Sequence, residues 1–252
     1  MDLKLEGRTA LVTGASAGIG EGVVECLARE GATVVATARR ADLLEALADR
    51  VGKAGHRRPV TIAGDITDGA DVARIAREAA GAVGPIQILV NCAGGSRPLA
   101  IEAGDEPWDE AFALNFTAMR RMAHAVLPAM REARWGRIIC MSGTMEPRTI
   151  NAASAAKAAL HLWAKGLSCD IAREGVTVNI IPPGRIESEQ IRERLHPTEE
   201  ARRDFIEKNI PIGYFGKPED IGNLVAFLAS PLAGYITGNV IPVDGGMHYF
   251  AH

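Results

Sequence analysis

The sequence carries no excess of positive charge. Its 28 Lys and Arg residues are outnumbered by 31 Asp and Glu residues, so the formal net charge at pH 7 is −3. A protein with this balance has no basic field that would hold a phosphodiester backbone or an anionic membrane surface. The charge balance therefore predicts that neither nucleic acid nor a membrane is a partner.

Cysteine is scarce as well. The four cysteines, Cys26, Cys92, Cys140 and Cys169, form no C-x-x-C pair and have no spacing typical of zinc ligands. Unpaired thiols of this kind are typical of buried side chains in a reducing compartment. We therefore predict no metal site and a cytoplasmic protein.

No segment resembles a targeting signal or a membrane span. The first six residues include charged side chains where a signal peptide would have an apolar run. Residues 221–243 contain no charge, but Pro231, Gly234 and Pro242 interrupt them, which disfavours a continuous spanning helix. The expectation is a soluble protein.

The sequence does contain a regular alternation of short apolar runs, rich in Val, Ile and Thr, with longer segments of helical period. The predicted strands are residues 8–13, 33–38, 60–63, 86–91, 136–141, 176–181 and 240–243. The predicted helices are residues 19–30, 41–53, 69–83, 107–132, 153–173 and 217–229. Such alternation gives a parallel sheet covered on both faces. Because no linker or repeat divides the chain, we predict a single α/β domain over residues 1–252, a Rossmann-type doubly wound parallel sheet flanked by helices.

One segment departs from this alternation. Residues 185–212 are charged and weakly periodic, and they follow Pro182-Pro183-Gly184 after a predicted strand. A polar insertion at this place is a candidate lid over a substrate site, and a plain pair of surface helices is the alternative.

A glycine-rich segment lies directly between the first predicted strand and the first predicted helix. It reads Thr13-Gly14-Ala15-Ser16-Ala17-Gly18-Ile19-Gly20. Glycines at such a junction let the backbone turn tightly and come close to a pyrophosphate, and the helix N-terminus supplies N–H groups and a positive dipole. The segment therefore predicts a dinucleotide site, although its G-x-x-x-G-x-G spacing differs from the commoner G-x-G-x-x-G.

The end of the second predicted strand indicates which dinucleotide binds. An NAD site usually has an acidic residue there, which accepts hydrogen bonds from the ribose hydroxyls. This chain has Arg39 and Arg40 instead, and a guanidinium group matches the geometry of a 2′-phosphate. NADP(H) is therefore favoured. NAD(H) stays open as the alternative, because arginines at this place also serve as solvent-side caps of the next helix.

Further motifs follow in order along almost the whole chain. They are Asp65, Asn91-Cys92-Ala93-Gly94, Asn115, Ser142, Lys157, Pro183-Gly184 and Val243-Asp244-Gly245-Gly246. Together with the glycine-rich segment they resemble the classical short-chain dehydrogenase/reductase family, close in layout to 3-oxoacyl-acyl-carrier-protein reductases. The resemblance implies an NADP(H)-dependent oxidoreductase that acts on the carbonyl or alcohol of a small-molecule or acyl substrate. It also implies a homotetramer formed through the long helices near 107–132 and 153–173.

The same resemblance implies roles for individual residues. The cofactor-binding residues would be Gly14, Ser16, Gly18 and Ile19 at the pyrophosphate, Arg39 at the adenosine phosphate, Asp65 at the adenine, Asn91 at the nicotinamide-side ribose, and also Lys157, Pro183 and Gly184. The catalytic residues would be Ser142, which polarises the carbonyl, Lys157, which holds the ribose and supplies positive charge, and Asn115, which in the family holds a proton-relay water.

The chain departs from the family at the centre of this site. The family has a Tyr four residues before the Lys, but that position holds Ala153, and the three tyrosines are Tyr214, Tyr235 and Tyr249. Residues four apart share a helix face, and an ammonium group lowers the pKa of a neighbouring phenol so that it works as an acid or base. A methyl group carries no proton, so the family's proton donor is missing.

Three explanations stay open. In a divergent branch of the family, a water held by Ser142, Lys157 or Ser154 would occupy the space of the ring and carry the proton. Alternatively, the chain is a catalytically silent NADP-binding or regulatory protein, or an engineered Tyr→Ala variant. Ala156, where the family often has Ser, is a second departure and favours the divergent branch. His161 lies one turn beyond Lys157, but such a histidine is more often a packed or interface residue, so it is left out of the predicted site.

Overall fold

The computed structural model of the protein describes residues 1–96, 98–189, 191 and 195–249, and within them six parallel strands form one sheet. The strands are β1 (Thr9–Thr13), β2 (Thr33–Ala38), β3 (Val60–Ala63), β4 (Ile88–Asn91), β5 (Gly136–Met141) and β6 (Val176–Ile181). Their order is β3-β2-β1-β4-β5-β6, and every neighbouring pair is parallel. The order reverses between β1 and β4, so the loops after these strands open a crevice at the carboxyl edge of the sheet.

Helices cover both faces of this sheet. They are α1 (Gly18–Arg29), α2 (Ala41–Lys53), α3 (Gly69–Val83), α4 (Asp105–Phe112), α5 (Ala118–Glu132), α6 (Ala152–Ile171), α7 (Glu199–Asn209) and α8 (Pro218–Ala229). Leu27 of α1 and Val225 of α8 are buried in an apolar cluster on one face, and Ile75 of α3 and Leu160 of α6 in a second cluster on the other. Enclosure on both faces explains the near-continuous apolar strands and confirms the predicted Rossmann-type fold. No helix in the described part of the chain has the length and apolar character needed to cross a membrane.

The single helix predicted over residues 107–132 is two helices in the structure. Helix α4 ends at Phe112, a π-helical turn spans Ala113–Thr117, and α5 begins at Ala118. A π turn contains an extra residue relative to an α turn, so the helical register shifts without any gap in the apolar pattern. The turn encloses Asn115, one of the predicted site residues.

The predicted strand over residues 240–243 is not a continuous strand. Two isolated parallel bridges, to Ile180 and to Pro183, hold this segment beside the end of β6. Pro242 has no N–H group to donate, which interrupts the ladder between the two bridges. The segment still brings the C-terminal motif of the chain to the carboxyl end of β6.

The predicted lid, residues 185–212, contains helix α7. Phe205 of this helix packs in a small apolar cluster that is separate from the two main ones. Residues 190 and 192–194 of the predicted lid lie outside the described residues, so the lid stays a prediction.

Candidate active site

The glycine-rich segment forms the loop between β1 and α1. Gly14 has φ +67°, and a Cβ atom there would come within 2.6 Å of the Cα of Ala93 in the loop after β4. Only glycine permits this close approach of the two loops. Helix α1 begins at Gly18, and its N-cap residue, Ala17, has no side-chain acceptor for the first N–H groups. These N–H groups are therefore available to an anionic ligand.

Two other predicted loop residues have distinct surroundings. Ser16 is partly buried, and its Oγ lies 3.4 Å from Nη2 of Arg40. Ile19 packs against the apolar cluster beneath α1. A Cβ atom on Gly18 would lie 3.5 Å from the Cβ of Ser188, so the segment after β6 comes close to the loop.

Both arginines after β2 are exposed at the mouth of this loop. Arg40, which the family resemblance does not assign, contacts Ser16 and also forms an ion pair with Glu189 at 3.4 Å. Arg39 lies close enough to Asp65 to act on its charge. Both arginines that the sequence analysis matched to a 2′-phosphate therefore lie at the mouth of this loop.

Asp65 follows β3 and is fixed by its own loop. Its Oδ1 atom accepts hydrogen bonds from the N–H and the hydroxyl of Thr67, at 2.9 and 2.8 Å. The Thr67 N–H group, and to a lesser extent the positive charge of Arg39, lower the pKa of the Asp65 carboxyl below its ordinary value. The side chain is therefore an ionised acceptor in the loop after β3.

The side chain of Asn91, at the end of β4, points into the protein. Its Nδ2 group donates to the carbonyl of Met119 at 3.3 Å and lies 3.5 Å from Sγ of Cys140. Its buried Oδ1 atom has no hydrogen-bond partner among the described residues. A contact between Asn91 and the nicotinamide-side ribose would therefore use the main chain of this residue.

Asn115 links the π turn to the loop after β4. Its Nδ2 group donates to the carbonyl of Ala111 at 2.9 Å, and its Oδ1 atom accepts the N–H of Gly95 at 3.2 Å. The residue is 1% exposed. These two bonds use both ends of the side-chain amide and hold the helix against the loop.

The turn after β6 packs on the C-terminal motif. The N–H of Gly184 donates to the carbonyl of Val243 at 2.9 Å, and a Cβ atom on Gly184 would come within 2.6 Å of the Cα of Asp244. Pro183 forms the bridge to Val243 described above. Both predicted residues therefore lie at the carboxyl edge of β6, on the same edge of the sheet as the glycine-rich loop.

Ser142 directly follows β5. Its N–H donates to the carbonyl of Ile181 at 2.9 Å, which continues the pairing with β6 for one more residue, and the side chain is 4% exposed. Lys157, in the second turn of α6, lies close to Ser142. A Cβ atom built on the adjacent Gly143 would be 3.2 Å from the Nζ atom of Lys157. The structure thus brings together the two predicted catalytic residues that are 15 positions apart in the sequence.

Burial changes the acidity of the Lys157 ammonium. The group makes no hydrogen bond or ion pair with the residues that the structure describes, and removal from water lowers its pKa from 10.5 to about 8. It therefore carries most of its positive charge at neutral pH but gives it up far more readily than a lysine in water.

Ala153 lies one turn before Lys157 at the start of α6. The Asn151 side chain accepts the Ala153 N–H at 3.0 Å and caps the helix. Ala153 is 3% exposed and offers a methyl group where the family has a phenol. Tyr249, which is distant in sequence, contacts the loop between β5 and α6, where its hydroxyl meets Arg148.

His161 lies one turn after Lys157, and its Nε2 atom is 2.5 Å from Oγ of Ser142. The sequence analysis left this residue out of the predicted site, and the structure places it in contact with a predicted catalytic side chain. Burial, and secondarily the charge of Lys157, lower the pKa of the imidazole below its ordinary value of 6.5. The spacing of four residues from Lys157 was the signal in the sequence, but the contact with β5 depends on how α6 packs.

A cleft of about 530 Å³ connects the two ends of the site. Its walls include Arg39 and Arg40 at one end and Gly94, Asn115 and Ala153 at the other. Cationic side chains and free N–H groups at one end suit a phosphorylated nucleotide. The Ser, Lys and His side chains near the other end can hydrogen-bond and protonate an oxygen atom. Such an arrangement can perform hydride transfer from a dinucleotide to a carbonyl.

The sequence of the chain is similar to known proteins over nearly its whole length. The family model described as enoyl-(acyl carrier protein) reductase matches residues 14–248. The 3-oxoacyl-(acyl-carrier-protein) reductase FabG of Escherichia coli (strain K12) is 37% identical over 250 residues, which are 98% of this chain and 99% of that protein.

Two solved structures have closely similar backbones. L-sorbose reductase from Gluconobacter frateurii, complexed with NADPH and L-sorbose, has a TM-score of 0.94 at 30% identity and covers 99% of this chain and 100% of that one. The Pseudomonas aeruginosa RhlG/NADP complex has a TM-score of 0.90 at 32% identity and covers 98% and 99%.

These similarities run nearly from end to end in both sequence and backbone, and they include the crevice in which the predicted residues converge. The family resemblance of the motifs is thereby confirmed, and it does not depend on Ala153. The chain belongs to the short-chain dehydrogenase/reductase family of oxidoreductases.

Proposed function

We propose that this protein is an NADP(H)-dependent oxidoreductase that interconverts a carbonyl and an alcohol. The observation that carries the proposal is the cleft that runs from Arg39 and Arg40 to Ala153, one turn of α6 before Lys157. The homologous structures that contain NADPH or NADP support the choice of cofactor.

The residues present fit that cofactor. Gly14 leaves a cradle that a Cβ atom would fill, and the N-terminus of α1 has no side-chain cap. The pyrophosphate would bind to this loop, the 2′-phosphate to Arg39 and Arg40, and the adenine beside Asp65. When bound, NADPH supplies the hydride.

The other residues would act on the substrate end. Lys157 would hold the nicotinamide-side ribose and keep a positive charge beside the reacting oxygen. Ser142 would donate a hydrogen bond to that oxygen and polarise the carbonyl. Asn115 would keep the loop after β4 and the π turn in place around the substrate.

A 3-oxoacyl thioester is the substrate class that we propose first. The support is the group of relatives named as 3-oxoacyl-(acyl-carrier-protein) reductases, which match this chain over nearly their whole length. The methyl group of Ala153 also leaves the cleft wider at this point than a phenol would.

The arginines provide a direct test. We expect Arg40→Ala, and likewise Arg39→Ala, to raise the Kd for NADPH about 10- to 100-fold while the Kd for NADH changes by less than about threefold, because each removes a charged hydrogen bond to the 2′-phosphate alone. Isothermal titration calorimetry of both coenzymes checks this, with Arg173→Ala as a control at the opposite edge of the sheet.

Turnover separates the enzyme from a silent nucleotide-binding protein. A screen of 3-oxoacyl thioesters and small ketones should show oxidation of NADPH that depends on the substrate, measured as a loss of NADPH absorbance. Ser142→Ala should abolish this oxidation. Tight NADPH binding without turnover on any carbonyl would instead support the silent alternative. Failure to bind either coenzyme would contradict both.

We also propose a cytoplasmic homotetramer formed through α5 and α6. All four cysteines are free thiols, which suits a reducing compartment. Leu162 on α6 is 79% exposed, although it is a large apolar side chain on a helix whose other face is buried. A second copy of the chain would remove it from water.

A further inference from the structure

Ala153, Lys157 and His161 occupy successive turns of α6 at a spacing of four residues. Side chains with this spacing lie along one helix face. The first of them cannot carry a proton, and the third reaches Ser142 at 2.5 Å. The face that lacks a phenol therefore contains an imidazole two turns further on, in contact with the serine.

We propose that Ser142 and His161 form a proton relay that replaces the missing phenol. Ser142 exchanges a proton with the substrate oxygen, and His161 exchanges a proton with Ser142. Ser142 is then a catalytic residue, whereas His161 acts through it as a positioning and proton-supplying residue. The inference rests on the proposed function, since it concerns the same reaction.

In the direction of reduction, the carbonyl carbon gains a hydride from bound NADPH, which is oxidised to NADP⁺. The substrate oxygen forms an O–H bond with the hydroxyl proton of Ser142, and Ser142 takes the Nε2 proton of His161. The imidazole, which is only partly buried, regains a proton from solvent. Alcohol oxidation reverses each step.

The surroundings of the pair favour this relay over a simple packing contact. Ser142 lies at the carboxyl end of β5, where substrates bind in this fold, and its backbone is fixed by β6. Lys157 is the charged group that acts on the imidazole, and its ammonium lies beside Gly143. A positive charge there stabilises negative charge on the substrate oxygen and on Ser142 during transfer.

Burial and the same charge together favour the neutral form of His161. Burial, and secondarily Lys157, lower the pKa of His161 below its ordinary value, and the neutral tautomer that carries its proton on Nδ1 would accept the hydroxyl proton of Ser142. Reduction needs the protonated ring, so its kcat should rise as pH falls through the pKa of His161. Oxidation needs the neutral ring, so its kcat should rise with pH through the same value.

The decisive variant is His161→Gln in the full-length protein, which keeps a polar side chain but does not titrate. We expect kcat for reduction to fall about 10²- to 10⁴-fold with KM changed less than about threefold, as is typical when a positioned acid is lost. The limb of the pH profile that belongs to His161 should disappear, while any limb due to Lys157 remains. NADPH affinity and the unfolding temperature should stay near the wild-type values.

Two controls and one rescue make the result specific. His56→Gln, in the loop between α2 and β3, and Tyr249→Phe, which removes the phenol nearest the loop before α6, should leave kcat unchanged. The double variant Ala153→Tyr/His161→Gln should have a kcat at least about tenfold higher than that of His161→Gln, because the phenol returns beside Lys157.

A measurement without cofactor or turnover tests the contact itself. NMR titration of ¹³C-labelled histidine should give His161 a pKa below 6.5, which rises in Lys157→Met and changes in Ser142→Ala. The relay is overturned if His161→Gln keeps the wild-type kcat and pH profile, or if Tyr249→Phe loses the activity instead. A wild-type protein that binds NADPH but never turns over would refute the proposed activity and the relay together, whereas an active His161→Gln refutes the relay alone.

Discussion

Lys157 shows how one residue exchanges stability for function. Its ammonium group is placed on α6 where burial disfavours charge and no described residue pairs with it. The native protein therefore binds this proton less tightly than the unfolded chain does. Such an uncompensated charge is typical of functional sites, where the missing partner is a ligand. In this cleft the ligand would be the cofactor ribose and the reacting oxygen.

The unfolding free energy of the cofactor-free protein should show the cost of burying the Lys157 charge. A pKa lowered from 10.5 to about 8 corresponds to a cost of about 3 kcal/mol at neutral pH. Between these two pH values the unfolded chain binds more protons than the native protein, so the unfolding free energy contributed by Lys157 rises with pH in that window. We expect Lys157→Met to abolish turnover yet raise the unfolding free energy at pH 7 by up to about 3 kcal/mol.

Urea denaturation at pH 7 and at pH 10.5, without nucleotide, measures this effect. The gain from Lys157→Met should shrink as the pH increases. The exposed Lys165 on the same helix is the matched control, and Lys165→Met should change the unfolding free energy little at either pH. A destabilised Lys157→Met protein at pH 7 would contradict the argument.

At the scale of elements, the sequence predicted regular helices well and irregular ones poorly. Helix α3 has the predicted bounds, because Asp68 caps its start and Gly84, with φ +87°, follows its end. The π turn of Ala113–Thr117 was not predictable, since it depends on hydrogen bonds to a loop that packs against it only in the fold. The contact of His161 with β5 was missed for the same reason, because helical period does not reveal the packing partner.

The π turn should therefore depend on Asn115. We expect Asn115→Ala to lower the unfolding free energy by about 2 kcal/mol, because it leaves the N–H of Gly95 without its partner and removes the bond to Ala111. Asn209→Ala is a matched control, since Asn209 makes the same bond to a carbonyl four residues earlier but, among the residues that the structure describes, none to another element. Equal losses in the two variants would show that Asn115 does not hold the turn.

At the scale of the whole molecule, one sheet places all the site residues at one edge. The loops after all six strands contribute: Gly14 after β1, Arg39 after β2, Asp65 after β3, Gly94 after β4, Ser142 after β5 and Pro183 after β6. This convergence follows from parallel topology alone, which explains why motifs scattered over the chain predicted a single site. The exposed Leu162 on α6 supports the proposed assembly.

The assembly should fail when that apolar surface carries charge. We expect the wild-type protein to be a tetramer by light scattering, and Leu162→Glu to reduce its mass to that of a dimer or monomer at micromolar concentration. In a symmetric interface the carboxylate recurs on each copy, so every pairing through α6 buries or opposes charges. Ile101 is equally exposed, at 79%, but lies in the loop before α4, so Ile101→Glu should leave the mass unchanged. A monomeric wild-type protein, or an intact tetramer in Leu162→Glu, would show that α6 is not the interface and that Leu162 is exposed for another reason.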